Sequence, residues 1–228
     1  MQKETFIKQY AAGLNPQQLA AVQAVHGPVL LLAVPGSGKT TVLVTRLGYM
    51  VLCCDVPPAQ ILTMTYTVAA THEMRGRFAA RFGAELAGQM TFRTINGLSA
   101  VILQYYSRVY GRRQPELLTN EGNITRMLTD IWQQVNREFP TESTLKELRT
   151  AITYIKNMAL ADEEIEGLET DLANLPELYR RYQAALKRAG QMDYDDQMTY
   201  ALAILRKHPD VLAQFQTQYP HLCVDESQ

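Results

Sequence analysis

Val29-Leu-Leu-Leu-Ala33-Val34-Pro35-Gly36-Ser37-Gly38-Lys39-Thr40-Thr41 passes from an unbroken apolar run into a glycine-rich turn closed by Lys-Thr. From Ala33 to Thr40 it fits the pattern G-x-x-x-x-G-K-[ST], with Ala in place of the first Gly. Glycines in such a loop let successive backbone N–H groups turn inward around phosphate oxygens at a helix N-terminus. The apolar run predicts a strand covered on both faces, and Thr40 to about Cys53 predicts the helix that follows. Ala33, Val34, Pro35, Gly36, Ser37, Gly38, Lys39, Thr40 and Thr41 are therefore the expected cradle of an ATP-type nucleotide. Lys39 would reach its β- and γ-phosphates, and the Thr40 hydroxyl would ligate Mg²⁺. The competing reading is a flexible strand-to-helix turn with a chance lysine.

Upstream of the loop, Asn15-Pro16-Gln17-Gln18 opens a helix: Asn as cap, Pro at the first helical position, Gln three residues after the cap. Downstream, Ile61-Leu-Thr-Met-Thr65 predicts a second strand, Ala69 to Phe82 a helix, and Thr91-Phe-Arg93-Thr a short strand. Strand and helix in alternation are the pattern of a parallel α/β sheet. From Ile95 to about Gly190 the strand signal disappears. Ile124, Met127, Leu128, Ile131 and Val135 mark one amphipathic helix; Leu145, Leu148, Ile152 and Ile155 mark a second. Leu175, Leu178, Tyr179, Tyr182 and Leu186 mark a third, with Asp162-Glu-Glu-Ile-Glu166 as an acidic, exposed connector. Asp193-Tyr-Asp195-Asp leads into a further helix, and His221-Leu-Cys-Val224 reads as one more strand, running into Asp225-Glu226. An acidic pair at a strand's carboxyl end, beside a phosphate loop, is placed to act on the same nucleotide. Asp225 would hold Mg²⁺ directly or through water, and Glu226 would polarise the attacking water.

Charge and composition bound the rest. Lys and Arg total 22 against 23 Asp and Glu, a net charge of −1, which excludes a uniformly basic nucleic-acid coat. Residues 1–100 carry 8 cations against 4 acids (+4), and residues 191–228 carry 2 against 6 (−4). A basic front could face phosphates and an acidic tail a cation. No apolar run approaches the ~20 residues that span a bilayer, and the N-terminus lacks the basic and apolar regions of a secretion signal. Cys53, Cys54 and Cys223 fit neither a disulfide framework nor a zinc spacing, so a cytoplasmic chain without a membrane anchor is expected.

The segments between the two nucleotide motifs narrow the class. Gln18, ahead of the loop, looks like the adenine-reading glutamine of a Q motif. Ile61 to Arg75 resembles motif Ia, Thr91-Phe-Arg-Thr motif Ib, Met192-Asp-Tyr-Asp-Asp-Gln motif Id and Val224-Asp-Glu-Ser-Gln motif II. In that order they resemble the UvrD/Rep/PcrA-type superfamily 1 DNA helicases, from about Leu14 to Gln228. The resemblance implies a RecA-like P-loop NTPase domain, 1A, over residues 1–103 and 189–228. It also implies an all-helical inserted subdomain, 1B, over residues 104–188. ATP and Mg²⁺ are the implied cofactors, and 3′-to-5′ movement on single-stranded DNA with duplex unwinding the implied activity. Single-stranded DNA, single/double-strand junctions and repair or replication proteins are the implied partners. Thr65, Tyr66, Thr67, Thr91 and Arg93 would lie along the DNA.

Plainer roles stand beside these. Asn15 and Gln18 also make a capping box, Tyr66 could pack between sheet and helix, Arg75 could be a surface ion-pair partner, and Asp193 or Asp195 could simply cap a helix. The chain departs from the family at Val34, usually Gly, and at Val68-Ala69, usually Asn-Lys. It departs again at Arg93, usually His, and at Ser227, usually an aromatic. If position 34 needs φ > 0, Val there lowers phosphate affinity. The family continues past motif II into a second RecA-like domain and its γ-phosphate arginines. This chain alone is thus expected to bind Mg-nucleotide weakly and to be inactive as a motor. The alternative function is a motor-inactive DNA- or protein-binding module that keeps the helicase fold; a kinase or transporter-type ATPase would leave Gln18 and motif Ia unexplained.

Overall fold

The computed structural model describes residues 1–34 and 36–225. In chain order its elements are α1 (Lys3–Phe6), α2 (Pro16–Gln23), α3 (Lys39–Cys53), β1 (Ile61–Thr65), α4 (Val68–Phe82), α5 (Ala84–Gln89) and β2 (Thr91–Thr94). There follow α6 (Ile95–Tyr110), β3 (Glu116–Leu117), α7 (Glu121–Asn136), α8 (Glu142–Met158), α9 (Asp162–Glu166) and α10 (Leu175–Ala189). The last are β4 (Gln191–Met192), α11 (Tyr194–Lys207), α12 (Pro209–Gln218) and β5 (His221–Val224). The chain is mostly helical with a small parallel sheet. It divides into two compact units, Met1–Leu98 with Leu212–Gln228, and Ser99–Val211.

In the first unit the strands lie in the order β2-β1-β5, all parallel, with Thr63 opposite both Phe92 and Cys223. Parallel pairing requires a crossover between β1 and β2, and α4 and α5 supply it. The central strand β1 is the most enclosed: Ile61, Leu62, Thr63 and Thr65 are all buried. Phe6, Leu47, Tyr49, Ile61, Met74, Phe78 and Phe92 form the core beneath it. Gly48 lets α3 approach α4 closely, since a Cβ there would overlap the Phe82 ring. Because all three strands run the same way, the residues after β1, near the end of β2 and after β5 share one edge of the sheet.

One expected strand is not formed. Val29–Ala33 has no ladder partner among the described residues, and Val29, Leu30, Leu31 and Leu32 are 41–82% exposed. An apolar run becomes a strand only when its backbone N–H and C=O groups find a neighbour. Here a cleft of about 410 Å³ lies between Val29–Leu31 and the outer side of β5, and no described strand fills it.

The second unit packs α7, α8 and α10 through the apolar stripes their periodicity predicts, with Leu128, Leu148, Ile155, Leu178 and Leu186 almost fully enclosed. Caps start two of these helices, α7 and α8, and also α11: the side chains of Asn120, Thr141 and Asp193 accept from the backbone N–H three residues on. Two details depart from expectation. β3 and β4 form a two-residue parallel pair, Glu116 opposite Gln191, too short to leave a periodic signal. The acidic connector coils into α9 and inserts Ile165, 3% exposed, into the core.

Candidate functional site

The phosphate-loop segment leads directly into α3. Gly36 (φ 77°) and Gly38 (φ 82°) are left-handed, a backbone that costs glycine nothing and other residues about 1 kcal/mol or more. The Ser37 N–H donates to the Val34 carbonyl at 3.2 Å, closing the turn between them. Gly38 is the N-cap of α3 and carries no capping side chain, so the first N–H groups of that helix have no side-chain cap. N–H groups without a side-chain cap and the positive end of a 15-residue helix together favour an anion. Val34 does not share the left-handed geometry: among described non-glycine residues, positive φ occurs at Asp55, Arg137, Ala159 and Asn174. Positive φ, the condition under which Val at this position was expected to lower phosphate affinity, is therefore not met at Val34.

Lys39 and Asp225 line the same cleft of about 410 Å³, together with Arg46 from two turns further along α3. The Lys39 ammonium has no hydrogen-bond or ion-pair partner among the described residues. Asp225 is fixed by its own N–H, which donates to the Met64 carbonyl at 2.9 Å and extends the β1–β5 ladder by one rung. Arg46 is anchored by donation to the carbonyls of Ala21, at 2.8 Å, and Ala24, at the end of α2. Its role was not visible beforehand, because nothing in an arginine on an otherwise apolar helix says which carbonyls it will find. Thr40 is half-buried in the first turn of α3, and Thr41 beside it is exposed. Among the described residues no group of three His, Cys, Asp or Glu side chains could hold a metal ion. A cation beside Thr40 and Asp225 would take its other ligands from phosphates and water, the habit of Mg²⁺. Pro35 and Glu226 lie outside the described residues.

Gln18 joins this site to α2. Its Oε1 accepts from the Asn15 N–H at 2.9 Å and its N–H donates to Asn15 Oδ1 at 2.9 Å, the capping box anticipated from sequence. Its Nε2 also donates to the Ser37 carbonyl at 2.9 Å, inside the phosphate loop. Both ends of the amide are therefore engaged within the chain.

At the carboxyl edge of the sheet, Tyr66 is 78% exposed, which removes the alternative that it packs between sheet and helix. Thr67 is exposed and its hydroxyl caps α4, accepting from the Ala70 N–H at 3.1 Å. Thr65, expected along the DNA, is 2% exposed, with its hydroxyl 2.6 Å from that of Thr71; it supports the turn from within. Thr91 opens β2 opposite Leu62, roughly 10 Å before the edge where the strand ends. Arg93 is half-buried opposite Met64, and its buried Nε finds no partner among the described residues. Arg75 stands over the Phe92 ring at 5.6 Å and makes no ion pair among the described residues.

In the second unit Asp193 caps α11 and also closes a buried ionic cluster that the sequence reading missed. Lys156, 3% exposed, lies 2.5 Å from Asp193 Oδ2 and 2.8 Å from Asp196 Oδ1. The Tyr182 hydroxyl donates to Asp193 Oδ2 at 3.0 Å. Burial first, then the charge and hydrogen bond of Asp193, push that phenol far above its usual range, so it stays a donor. The available signal was Lys156 itself, four residues after Ile152 and eight after Leu148 on an apolar stripe. Asp195 accepts from Thr153 and Asn157.

A sequence profile of the UvrD/REP helicase N-terminal domain matches residues 14–228. The ATP-dependent DNA helicase PcrA of Leuconostoc citreum is 32% identical over 225 residues, 95% of this chain and 29% of that protein. The ATP-dependent DNA helicase UvrD1 of Mycobacterium leprae is 31% identical over 222 residues, 95% of this chain and 28% of its own length. The ATP-dependent DNA helicase Rep of Buchnera aphidicola is 26% identical over 220 residues, covering 94% and 33%. The chain thus spans about a third or less of the curated relatives it matches.

Proposed function

The chain belongs to the UvrD/REP helicase N-terminal domain family, and from that premise we propose that it is the ATP-binding part of an ATP-dependent DNA helicase. The supporting observation is local. Two left-handed glycines present an uncapped helix start, and Lys39 and Asp225 line one cleft beside it. In this reading the N–H groups from Gly36 to Thr41 hold phosphate oxygens, and Lys39 supplies the positive charge for the β- and γ-phosphates. Thr40 and Asp225 hold Mg²⁺, which when bound neutralises phosphate charge, and Glu226 orients the attacking water. Gln18 reads adenine after exchanging one of its two intrachain bonds. Residues 1–103 and 189–228 form the RecA-like domain and residues 104–188 its helical insertion. DNA runs along the exposed sheet edge on Tyr66, Thr67 and Arg93, a sequence-independent mode of phosphate contact and base stacking. In the whole protein, turnover drives 3′-to-5′ translocation and unwinding at single/double-strand junctions in the cytoplasm, alongside repair or replication proteins. The motor-inactive alternative loses one of its supports with the ordinary backbone at Val34.

The test is the metal dependence of nucleotide binding. A fluorescent ATP analogue should bind more tightly with Mg²⁺ than without it. Asp225→Asn should remove most of that difference while leaving metal-free binding unchanged. Binding indifferent to both Mg²⁺ and Asp225 would sink the assignment.

A further inference from the structure

The helical unit holds a second cleft, of about 260 Å³, that the nucleotide site and the sheet edge do not use. Leu103, Ala203 and Ile204 give it an apolar floor, Tyr106 and Tyr200 contribute aromatic rings, and Arg112 and Arg113 line it as well. The aromatic side is held in place. Tyr106 stacks on Tyr110 at 4.8 Å, and His208 meets both rings at 4.8 Å. The Tyr110 hydroxyl donates to Asp210 at 2.8 Å. The two arginines follow immediately on the end of α6, where Gly111 is left-handed (φ 59°) and the Arg112 N–H donates back to the Ser107 carbonyl at 3.1 Å.

Cations outnumber acids close to this cleft, although Asp210 accepts from the Tyr110 hydroxyl and Glu116 follows Pro115. Residues 105–115 contain three arginines and no acid, and residues 197–208 contain Arg206 and Lys207 and no acid. Arg112, Arg113, Arg206 and Lys207 make no ion pair among the described residues. Elsewhere in the same unit Arg149, Arg180 and Arg181 each close on a glutamate. An apolar, ring-lined recess among unpaired arginines suits a ligand with flat faces and a negative backbone. A splayed nucleobase satisfies it, because base–aromatic stacking is tolerant of sequence and the phosphates answer the guanidiniums. A base paired within a duplex cannot enter such a recess.

We propose that this cleft is a contact site for single-stranded DNA, with a base against Tyr106 and Tyr200 and the adjoining phosphates on Arg112 and Arg113. The proposal rests on the helicase reading for the presence of DNA, and on the cleft alone for its location.

The experiment measures fluorescence anisotropy of labelled oligo-dT, and of a duplex of equal length, against the 228-residue chain. Arg112→Gln/Arg113→Gln should weaken oligo-dT binding at least tenfold at low salt. It should also lower the slope of log K against log[salt] by about 1.4, since each single-strand phosphate contact contributes roughly 0.7. Tyr200→Ala should weaken binding by about 5- to 150-fold without changing that slope, because stacking is worth about 1–3 kcal/mol per base. Both variants should melt like the wild type, and duplex affinity should barely change. Tyr66→Ala, at the sheet edge, is the control. If it weakens oligo-dT while the cleft variants bind like the wild type, the proposal falls and the helicase reading stands. If no protein binds oligo-dT, both fall. If poly-glutamate binds as tightly as oligo-dT and with the same dependence on Arg112 and Arg113, the cleft takes acidic peptides and the proposal is overturned.

Discussion

Two lysines show how differently the two units treat a positive charge. Lys156, in the helical unit, is 3% exposed, and its ammonium lies within 2.8 Å of both Asp193 and Asp196, with the Tyr182 ring 5.0 Å away. Lys39, in the sheet unit, is half-buried on a cleft wall and has no protein partner among the described residues. Taking a charge out of water costs several kcal/mol unless it is answered. Around Lys156 the protein supplies that answer, so the cluster serves architecture: it ties α8 to the start of α11. At Lys39 no described residue supplies that charge, and on the proposed reading a nucleotide does. A lysine's role is therefore set by what surrounds its ammonium.

The sharpest way to break this comparison is to delete each charge and read stability. Lys156→Ala leaves two carboxylates enclosed without their cation. It should cost about 3–5 kcal/mol in urea unfolding, the usual penalty for breaking a buried pair from one side. Lys39→Ala, read by the same denaturation, should stay within about 0.5 kcal/mol of wild type, as substitutions away from packed or paired groups do. Equal effects from the two would erase the distinction. Next in size is Gln18→Glu, which keeps the acceptor of the capping box but turns the donor to the Ser37 carbonyl into a second acceptor. Loss of that bond should lower affinity for a GTP analogue by about 5-fold, in keeping with roughly 1 kcal/mol for one hydrogen bond, and loss of the adenine contact should lower affinity for an ATP analogue further. A drop confined to ATP would instead mark Gln18 as a reader of the base alone. The smallest effect belongs to Val34→Gly. Since Val34 already has an ordinary backbone, nucleotide affinity measured by titration should change less than twofold; a clear tightening would show that the loop is strained when occupied.

Much of the sheet unit was legible because its signals are local. Asn15 and Gln18 announce the capping box, the glycines announce the loop, and Ile61–Thr65 announces a buried strand. The failures are non-local. Val29–Ala33 has the composition of an enclosed strand, yet whether it becomes one depends on a neighbour that the run itself does not encode. Thr65 and Arg93 sit in similar motifs, but only three-dimensional placement shows the first turned inward and the second near the edge. Lys156 was overlooked because its partners lie 37 and 40 positions away in sequence, and the apolar stripe around it reads as core either way. The contact between Gln18 and Ser37 is the same kind of miss, as a capping box accounts for glutamine without pointing to the loop.

On the proposed reading, the start of α3 and Lys39, which has no partner among the described residues, await the phosphates of a nucleotide. Titration of a fluorescent ATP analogue with Mg²⁺ against wild type and Lys39→Ala tests it most directly. A hydrogen bond to a charged group is worth about 1.5–3 kcal/mol, so the variant should bind at least tenfold more weakly while its melting curve overlays the wild type. Equal affinity in the two proteins, or no binding by either, would contradict the account.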